Sequence, residues 1–334
     1  MTFNQAERAN RLRYWYSQDK VIYEIIRFTK NREVAFLSPV WLFIDMKERD
    51  ITGFNRRCNR IHNVEHFKQI LFNGCRFGNI EGMQQHEFID DLIFNCYYTL
   101  AEYKDGVPFT SLDRRDKENK DIREDYYTNY WKNISSYDFC IDIDAHEGKQ
   151  TFYWCVESAI KIMIELNKFS IVYYIVFTGN GFQINIPLNL KDVDKKKFSY
   201  NPKAERNVFI FFRFVQKLLH DKISNLTDIR FKYHPLTLRK LPYSIVNYSS
   251  MAYVSMPINT IEVMMEFNRD KYQMENAIWH IKDFGYRGAT YYNINNLNMK
   301  DNSIEVMKQN NENFLKFASY LEDLDNIKSK RDKI

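Results

Sequence analysis

The sequence predicts a mixed α/β (α+β) fold, and three observations carry that prediction. Runs that alternate in polarity, YDFCIDID (137–144) and FQINIPL (182–188), are interleaved with runs whose apolar residues recur at helical spacing, TFYWCVESAIKIMIEL (151–166) and AERNVFIFFRFVQKLLH (204–220). Hydrophobic residues make up 45% of the chain, with 23 Tyr and 26 Phe, enough to build a large core. No internal repeat or composition break marks a linker, so residues 1–334 read as one domain. Its parts are an N-terminal part over 1–130, a carboxylate-bearing core over 131–258 and a helical C-terminal part over 259–334.

Along the chain, LRYWYSQDKVIYEIIRF (12–28) has the period of an amphipathic helix, and REVAFL (32–37) and VWLFIDM (40–46) read as strands. VEHFKQILF (64–72) is a short helix with Asn63 as its cap. The stretch from Tyr103 to Asn133, with DRRDKENKDIRED at its centre, is the most polar and reads as a solvated loop or helix face. After the strand at 137–144 and the helix at 151–166 comes IVYYIVF (171–177), a buried strand. TGNG then turns the chain into 182–188. The helix at 204–220 is followed by a mixed segment ending in MAYVSMPI (251–258), a further strand, and beyond Thr260 by helices joined through an Asn-rich loop.

Several classes are excluded early. No run approaches the roughly eighteen apolar residues of a bilayer span, and the N-terminus lacks the apolar stretch of a signal peptide, so a soluble intracellular protein of cytoplasm or nucleoid is expected. Five cysteines with no C-x-x-C pair argue against a disulfide framework and against structural zinc; they read as reduced, mostly core thiols. A net charge of +5 permits a nucleic-acid partner without requiring one.

Three segments carry chemistry. In Phe139-Cys140-Ile141-Asp142-Ile143-Asp144, strand alternation sends Asp142 and Asp144 to one face and Ile141 and Ile143 to the core. Two buried carboxylates repel, and hard divalent cations such as Mg²⁺ or Mn²⁺ prefer such oxygen ligands. The Thr178-Gly179-Asn180-Gly181 turn has two glycines that allow backbone N–H groups to approach a phosphate, and Gln183 and Asn185 share one face beyond it. Asp228, with Leu238-Arg239-Lys240-Leu241-Pro242-Tyr243-Ser244, offers a third carboxylate and two cations beside a fixed turn. Other groupings are weaker: His62 and His66 lack a third ligand, Tyr14, Trp15 and Tyr16 read as core, and His146 and Glu147 merely follow the acids.

The order of these segments resembles the small catalytic subunit of archaeal and eukaryotic DNA primase, in the archaeo-eukaryotic primase superfamily. The quoted residues are D-x-D at 142–144, the T-G-N-G turn, Asp228 and Lys240-Leu241-Pro242-Tyr243-Ser244; Arg32-Glu33-Val34-Ala35-Phe36 resembles the family's R-E-x-[AG]-F, and Asn55 to Arg60 its arginine-containing strand. The resemblance spans roughly Leu12 to Ile258.

It implies a primase catalytic core, a mixed sheet flanked by helices with an N-terminal α/β portion and a helical tail. It also implies a nucleotidyltransferase that makes primers on single-stranded DNA for replication, as part of a primosome. Asp142, Asp144 and Asp228 would hold two divalent ions, Mg²⁺ or Mn²⁺. Thr178, Gly179, Asn180, Gly181, Gln183, Lys240 and Arg56 would contact nucleoside triphosphate or template, and a primase large subunit would be the partner.

Gln183 stands where the family has His, Val246 where it has a second His, and the zinc-binding insertion is absent. A zinc-less, divergent member is therefore implied. Two other readings stay open: a single-chain primase-polymerase of the same superfamily, and a degenerate module that binds nucleic acid without catalysis.

Overall fold

The computed structural model describes residues 14–37, 56–58, 61, 63–72, 95–104, 133–144, 152–189, 205–229, 231, 233–234, 237–246, 253–258, 264–273 and 304–331. The strand expected at 40–46, most of the charged stretch 103–133, the Asn-rich loop, His62, His146 and Glu147 lie outside them.

The elements, in chain order, are α1 (Asp19–Phe28), β1 (Val34–Leu37), β2 (Arg56–Cys58), α2 (Val64–Phe72), β3 (Asn95–Thr99), β4 (Ala101–Tyr103) and β5 (Ile134–Asp144). There follow α3 (Phe152–Lys168), β6 (Tyr174–Phe177), β7 (Gly181–Leu188), α4 (Glu205–Lys222), β8 (Leu238–Lys240), β9 (Ile245–Val246), β10 (Tyr253–Val254), β11 (Met256–Ile258) and α5 (Ile304–Arg331). They form an α+β fold of antiparallel sheets flanked by helices. One sheet has the order β2-β1-β3-β8, the other β11-β6-β7-β5-β4, and β9 and β10 make a ribbon.

The five-stranded sheet has two chemically different faces. One presents Phe139, Ile141, Ile143, Ile175, Phe177, Phe182, Ile184 and Ile186, all buried, and α3, α4 and α5 cover it. Aromatic rings supply much of this packing: Phe139 lies 4.9 Å from Phe314 of α5 and stacks at 5.5 Å on Tyr233. The C-terminal helix is part of the same unit, because Asn310 caps the sheet's free backbone groups. Its Oδ1 accepts from Val172 N at 2.8 Å, and its Nδ2 donates to the carbonyls of Val172 at 3.0 Å and Pro187 at 2.8 Å.

The other face carries Asp138, Cys140, Asp142 and Asp144, registered opposite Pro187, Asn185, Gln183 and Gly181. The four-stranded sheet approaches this polar face. The chain passes from one sheet to the other at Leu100, and buried Arg32 pins the passage by donating to the carbonyls of Thr99 at 3.0 Å and Leu100 at 2.8 Å. Its guanidinium also pairs with Asp138 at 3.0 Å, and Tyr174 donates to the same carboxylate at 2.8 Å. Arg32 of the R-E segment is thus the ionic brace between the sheets.

Two sequence expectations need correction. The helical pattern of 12–28 is broken at Gln18, whose backbone is extended, and the helix proper begins at Asp19. The break turns Trp15 and Tyr16 into the core, while Tyr14 stays exposed. MAYVSMPI is two strands rather than one: β10 pairs with β9 and β11 with β6, and the chain changes sheet at Ser255. There the backbone is consumed by neither sheet, since Ser255 N donates to Ser244 O and its carbonyl accepts from Tyr243 N. The helix at Val64–Phe72 is capped as expected, His66 N donating to Asn63 Oδ1 at 2.8 Å.

Candidate active site

The site is built at the end of β5 where the two sheets face one another. Asp142 and Asp144 are held by full antiparallel pairing with β7. On the opposite edge of β5, Ile143 bridges Thr227, and Asp228 N donates to the Asp142 carbonyl at 2.9 Å. The side-chain amide of Gln216 on α4 donates to the Asp228 carbonyl, fixing this short segment from behind. A residue distant in sequence thereby becomes a strand neighbour of the acidic pair.

Burial and charge act together here. Burial, reinforced by repulsion from Asp142 and Asp228, pushes the Asp144 carboxyl up to about 7, against the opposing pull of Arg239 and Lys240. Lys240 is buried and burial lowers it to about 7, while Asp144 and the Cys96 thiol act in the opposite sense. Arg239 stands 3.4 Å from Asp142, with its guanidinium 3.3 Å from the Phe231 ring centroid. Its Nε and Nη2 hydrogens have no acceptor among the described residues. The site therefore holds an excess of buried, incompletely matched charge of both signs.

Local backbone chemistry fixes the basic strand. Pro242 and Tyr243 occupy the centre of a turn closed by Ser244 N donating to Leu241 O at 3.1 Å, and Tyr243 has φ 66°. This is the type II pattern, which puts its third residue in the left-handed region. A buried tyrosine tolerates it because neighbours hold both its backbone groups: Trp15 Nε1 donates to Tyr243 O at 2.8 Å, and Tyr243 N donates to Ser255 O.

The T-G-N-G segment is a two-residue hairpin. Thr178 N donates to Gly181 O at 3.0 Å, and Gly179 has φ 95°, in the left-handed region that glycine adopts without strain. Gly181 is required for a different reason: a Cβ there would sit 1.8 Å from the Ile143 carbonyl oxygen and 3.0 Å from Asp144 Oδ1. The hairpin thus runs directly beside the acidic strand end. Gln183, opposite Asp142, is buried, and its Oε1 has no donor among the described residues.

The fold thus brings Asp142, Asp144, Asp228, Thr178, Gly179, Asn180, Gly181, Gln183 and Lys240 to one region. Arg56 stands apart. Its strand β2 is the opposite edge of the four-stranded sheet from β8, roughly 14 Å away across three strand spacings. Two residues not singled out as site residues from sequence belong here. Arg239 was visible only as one of two adjacent cations, and Arg269 lies in a stretch without a motif.

The donor set suits a hard divalent cation: oxygen-only ligands whose charges are costly together without a counter-ion. Among the described residues no group of three or more His, Cys, Asp or Glu stands close enough to hold a metal ion, and Arg239 provides the positive charge against Asp142. The chemistry of the carboxylates fits, in an arrangement that is not closed around an ion. Cys96, Cys140 and Cys155 are buried free thiols, as their scattered spacing predicts. No helix among the described residues is long and apolar enough to cross a membrane.

No family model matches the chain, and no curated protein matches it. Among solved structures, the polymerase domain of Mycobacterium tuberculosis ligase D in complex with DNA is similar at 11% identity and a TM-score of 0.48. The match covers 85% of this chain and 95% of that one. The residues of the site, and not this likeness, carry the functional reading.

Proposed function

We propose that this chain is a template-directed nucleotidyltransferase, the catalytic subunit of a DNA primase that joins nucleotides on single-stranded DNA. The observation that supports it most is the junction of Asp228 with Asp142 beside Lys240 and the glycine hairpin. Segments far apart in sequence supply three carboxylates, a buried lysine and turn amides to one region. Magnesium or manganese, bound by Asp142, Asp144 and Asp228, would supply Lewis-acid activation of a 3′-hydroxyl and charge neutralisation of pyrophosphate.

The chain's own residues position and compensate charge. Lys240, poised by burial near neutrality, takes up a proton when a polyphosphate arrives and then donates to its oxygens. The amides of the Gly179–Gly181 turn and the Gln183 side chain, which can donate but carries no charge, offer hydrogen bonds to the same anion. Arg239 pairs with Asp142 at 3.4 Å, and its Nε and Nη2 hydrogens, without an acceptor among the described residues, would be donors to a phosphate.

The test is synthesis on single-stranded DNA with Mg²⁺ or Mn²⁺, with and without a primer, using ribo- and deoxyribonucleotides separately. Product without a primer is the expected result. Extension of a supplied primer alone identifies either a single-chain primase-polymerase or a subunit that needs a large-subunit partner to initiate. No product under any condition, together with DNA binding, identifies a non-catalytic module and overturns the proposal.

A further inference from the structure

Arg269 follows the last strand of the five-stranded sheet, in a short 3₁₀ turn over Arg269–Tyr272. Its guanidinium Nη2 donates to the Gly179 carbonyl at 2.7 Å and lies 3.4 Å from Asn180 Oδ1. It is therefore bonded to the tip of the glycine hairpin. The guanidinium carbon is 4.4 Å from the Tyr253 ring centroid and 5.2 Å from that of Phe152, so aromatic faces bracket the charge. Its Nε is buried with no acceptor among the described residues.

The side from which Arg269 reaches the hairpin matters. Phe152 packs on Phe177, Phe182 and Phe267, which belong to the apolar, helix-covered side of the sheet. Asp142, Asp144 and Gln183 are on the other side. The Gly179 carbonyl is therefore drawn toward the aromatic side. Because the Gly179–Asn180 peptide is planar and trans, its N–H points away from Arg269, to the side of the sheet that carries the carboxylates. A left-handed glycine leaves this peptide free to rotate, so an external clamp is what would select one orientation.

We infer that Arg269 is a positioning residue for nucleotide binding: it fixes the Asn180 N–H toward the acidic face, where it donates to a phosphate oxygen of a nucleoside triphosphate. This rests on the proposed nucleotidyltransferase reading and adds a residue from outside the recognised motifs. The guanidinium makes its bond to the hairpin rather than to the substrate, so its effect is on affinity and not on the chemical step.

The experiment compares unmodified protein with R269K and R269M. Calorimetric titration of dGTP with Mn²⁺ is combined with steady-state extension of a primed template and thermal unfolding of each protein. Methionine keeps an apolar stem between the two rings, so the variant retains packing that alanine would lose. R269M is expected to weaken dGTP binding and raise its KM about tenfold, the scale of one charge-positioned hydrogen bond, with kcat changed less than about twofold. R269K, which can still donate to the Gly179 carbonyl, should recover at least half of that loss on a logarithmic scale.

Unchanged dGTP affinity in R269M overturns the inference alone. Equal loss in both variants, matched by equal loss of thermal stability, also overturns it by making Arg269 a structural brace. If unmodified protein binds no dGTP and extends no primer, the nucleotidyltransferase reading falls and takes the inference with it.

Discussion

Asp228 donates its backbone N–H to the carbonyl of Asp142 at 2.9 Å, so an acid 86 positions further along the chain is locked beside the acidic strand. This bond uses backbone atoms only, so neither carboxylate takes part in it. It explains how a segment with no regular structure of its own can hold a carboxylate at a defined place.

Asp142→Asn and Asp144→Asn are each expected to lower primer synthesis by at least about a thousandfold, since an amide cannot replace a charged oxygen ligand. Circular dichroism should remain that of the unmodified protein. Synthesis within tenfold of normal in either variant would remove the metal-binding assignment.

Asp144 sets a pH dependence whose sign follows from its raised carboxyl. Below about pH 4 it is protonated in both folded and unfolded chains and costs nothing. Between the ordinary carboxylate value of 3.8 and about 7 the unfolded chain has released the proton while the folded site retains it, so stability falls as pH rises. Above about 7 the full cost persists. Thermal unfolding from pH 4 to 8 should show Asp144→Asn gaining on the unmodified protein across that window, and adding Mn²⁺ should narrow the gap at pH 8. A constant difference across the range would contradict this account.

Lys240 has the opposite pH signature. Its folded value of about 7 lies below the ordinary lysine value of 10.5, so its cost is fully present below about pH 7 and is relieved as pH rises toward 10.5. Lys240→Met should therefore stabilise the protein most below about pH 7, and progressively less as pH rises toward 10.5, while raising the KM for nucleotide, a split readable by unfolding and kinetics on the same sample.

Gly181→Ala should cost roughly 3 kcal/mol, because the added Cβ meets the rigid backbone of Ile143 rather than a movable side chain. Gly179→Ala should cost less, about 1–2 kcal/mol, from the left-handed backbone alone. Urea unfolding of the two variants ranks them; the reverse order would show that strand contact is not what demands a glycine at 181.

Arg32→Met should destabilise by roughly 3–5 kcal/mol, because it leaves Asp138, fully buried, without its guanidinium partner. Burial already pushes the Asp138 carboxyl up, so the loss should deepen as pH rises above 4. A pH-independent loss of under 1 kcal/mol would show that the brace between the sheets lies elsewhere.

Local pattern alone determined much of this protein. Alternation over 137–144 and 182–188, helical periodicity over 151–166 and 204–220, and the Asn63 cap all depend on neighbours a few residues away, so the sequence records them directly. So does the sharing of one strand face by Asp142 and Asp144, which follows from the pleat. Tertiary structure decided what depends on residues distant in sequence. Only folding joined Asp228 to Asp142, set Arg239 against that carboxylate, buried Lys240 to near neutrality, and split 251–258 between two sheets at Ser255. It alone turned Arg32 into a brace between sheets and carried Arg269 to the Gly179 carbonyl. Such contacts have no periodicity and no motif, because their energy comes from desolvation and charge pairing between segments that chain topology, not local propensity, brings together.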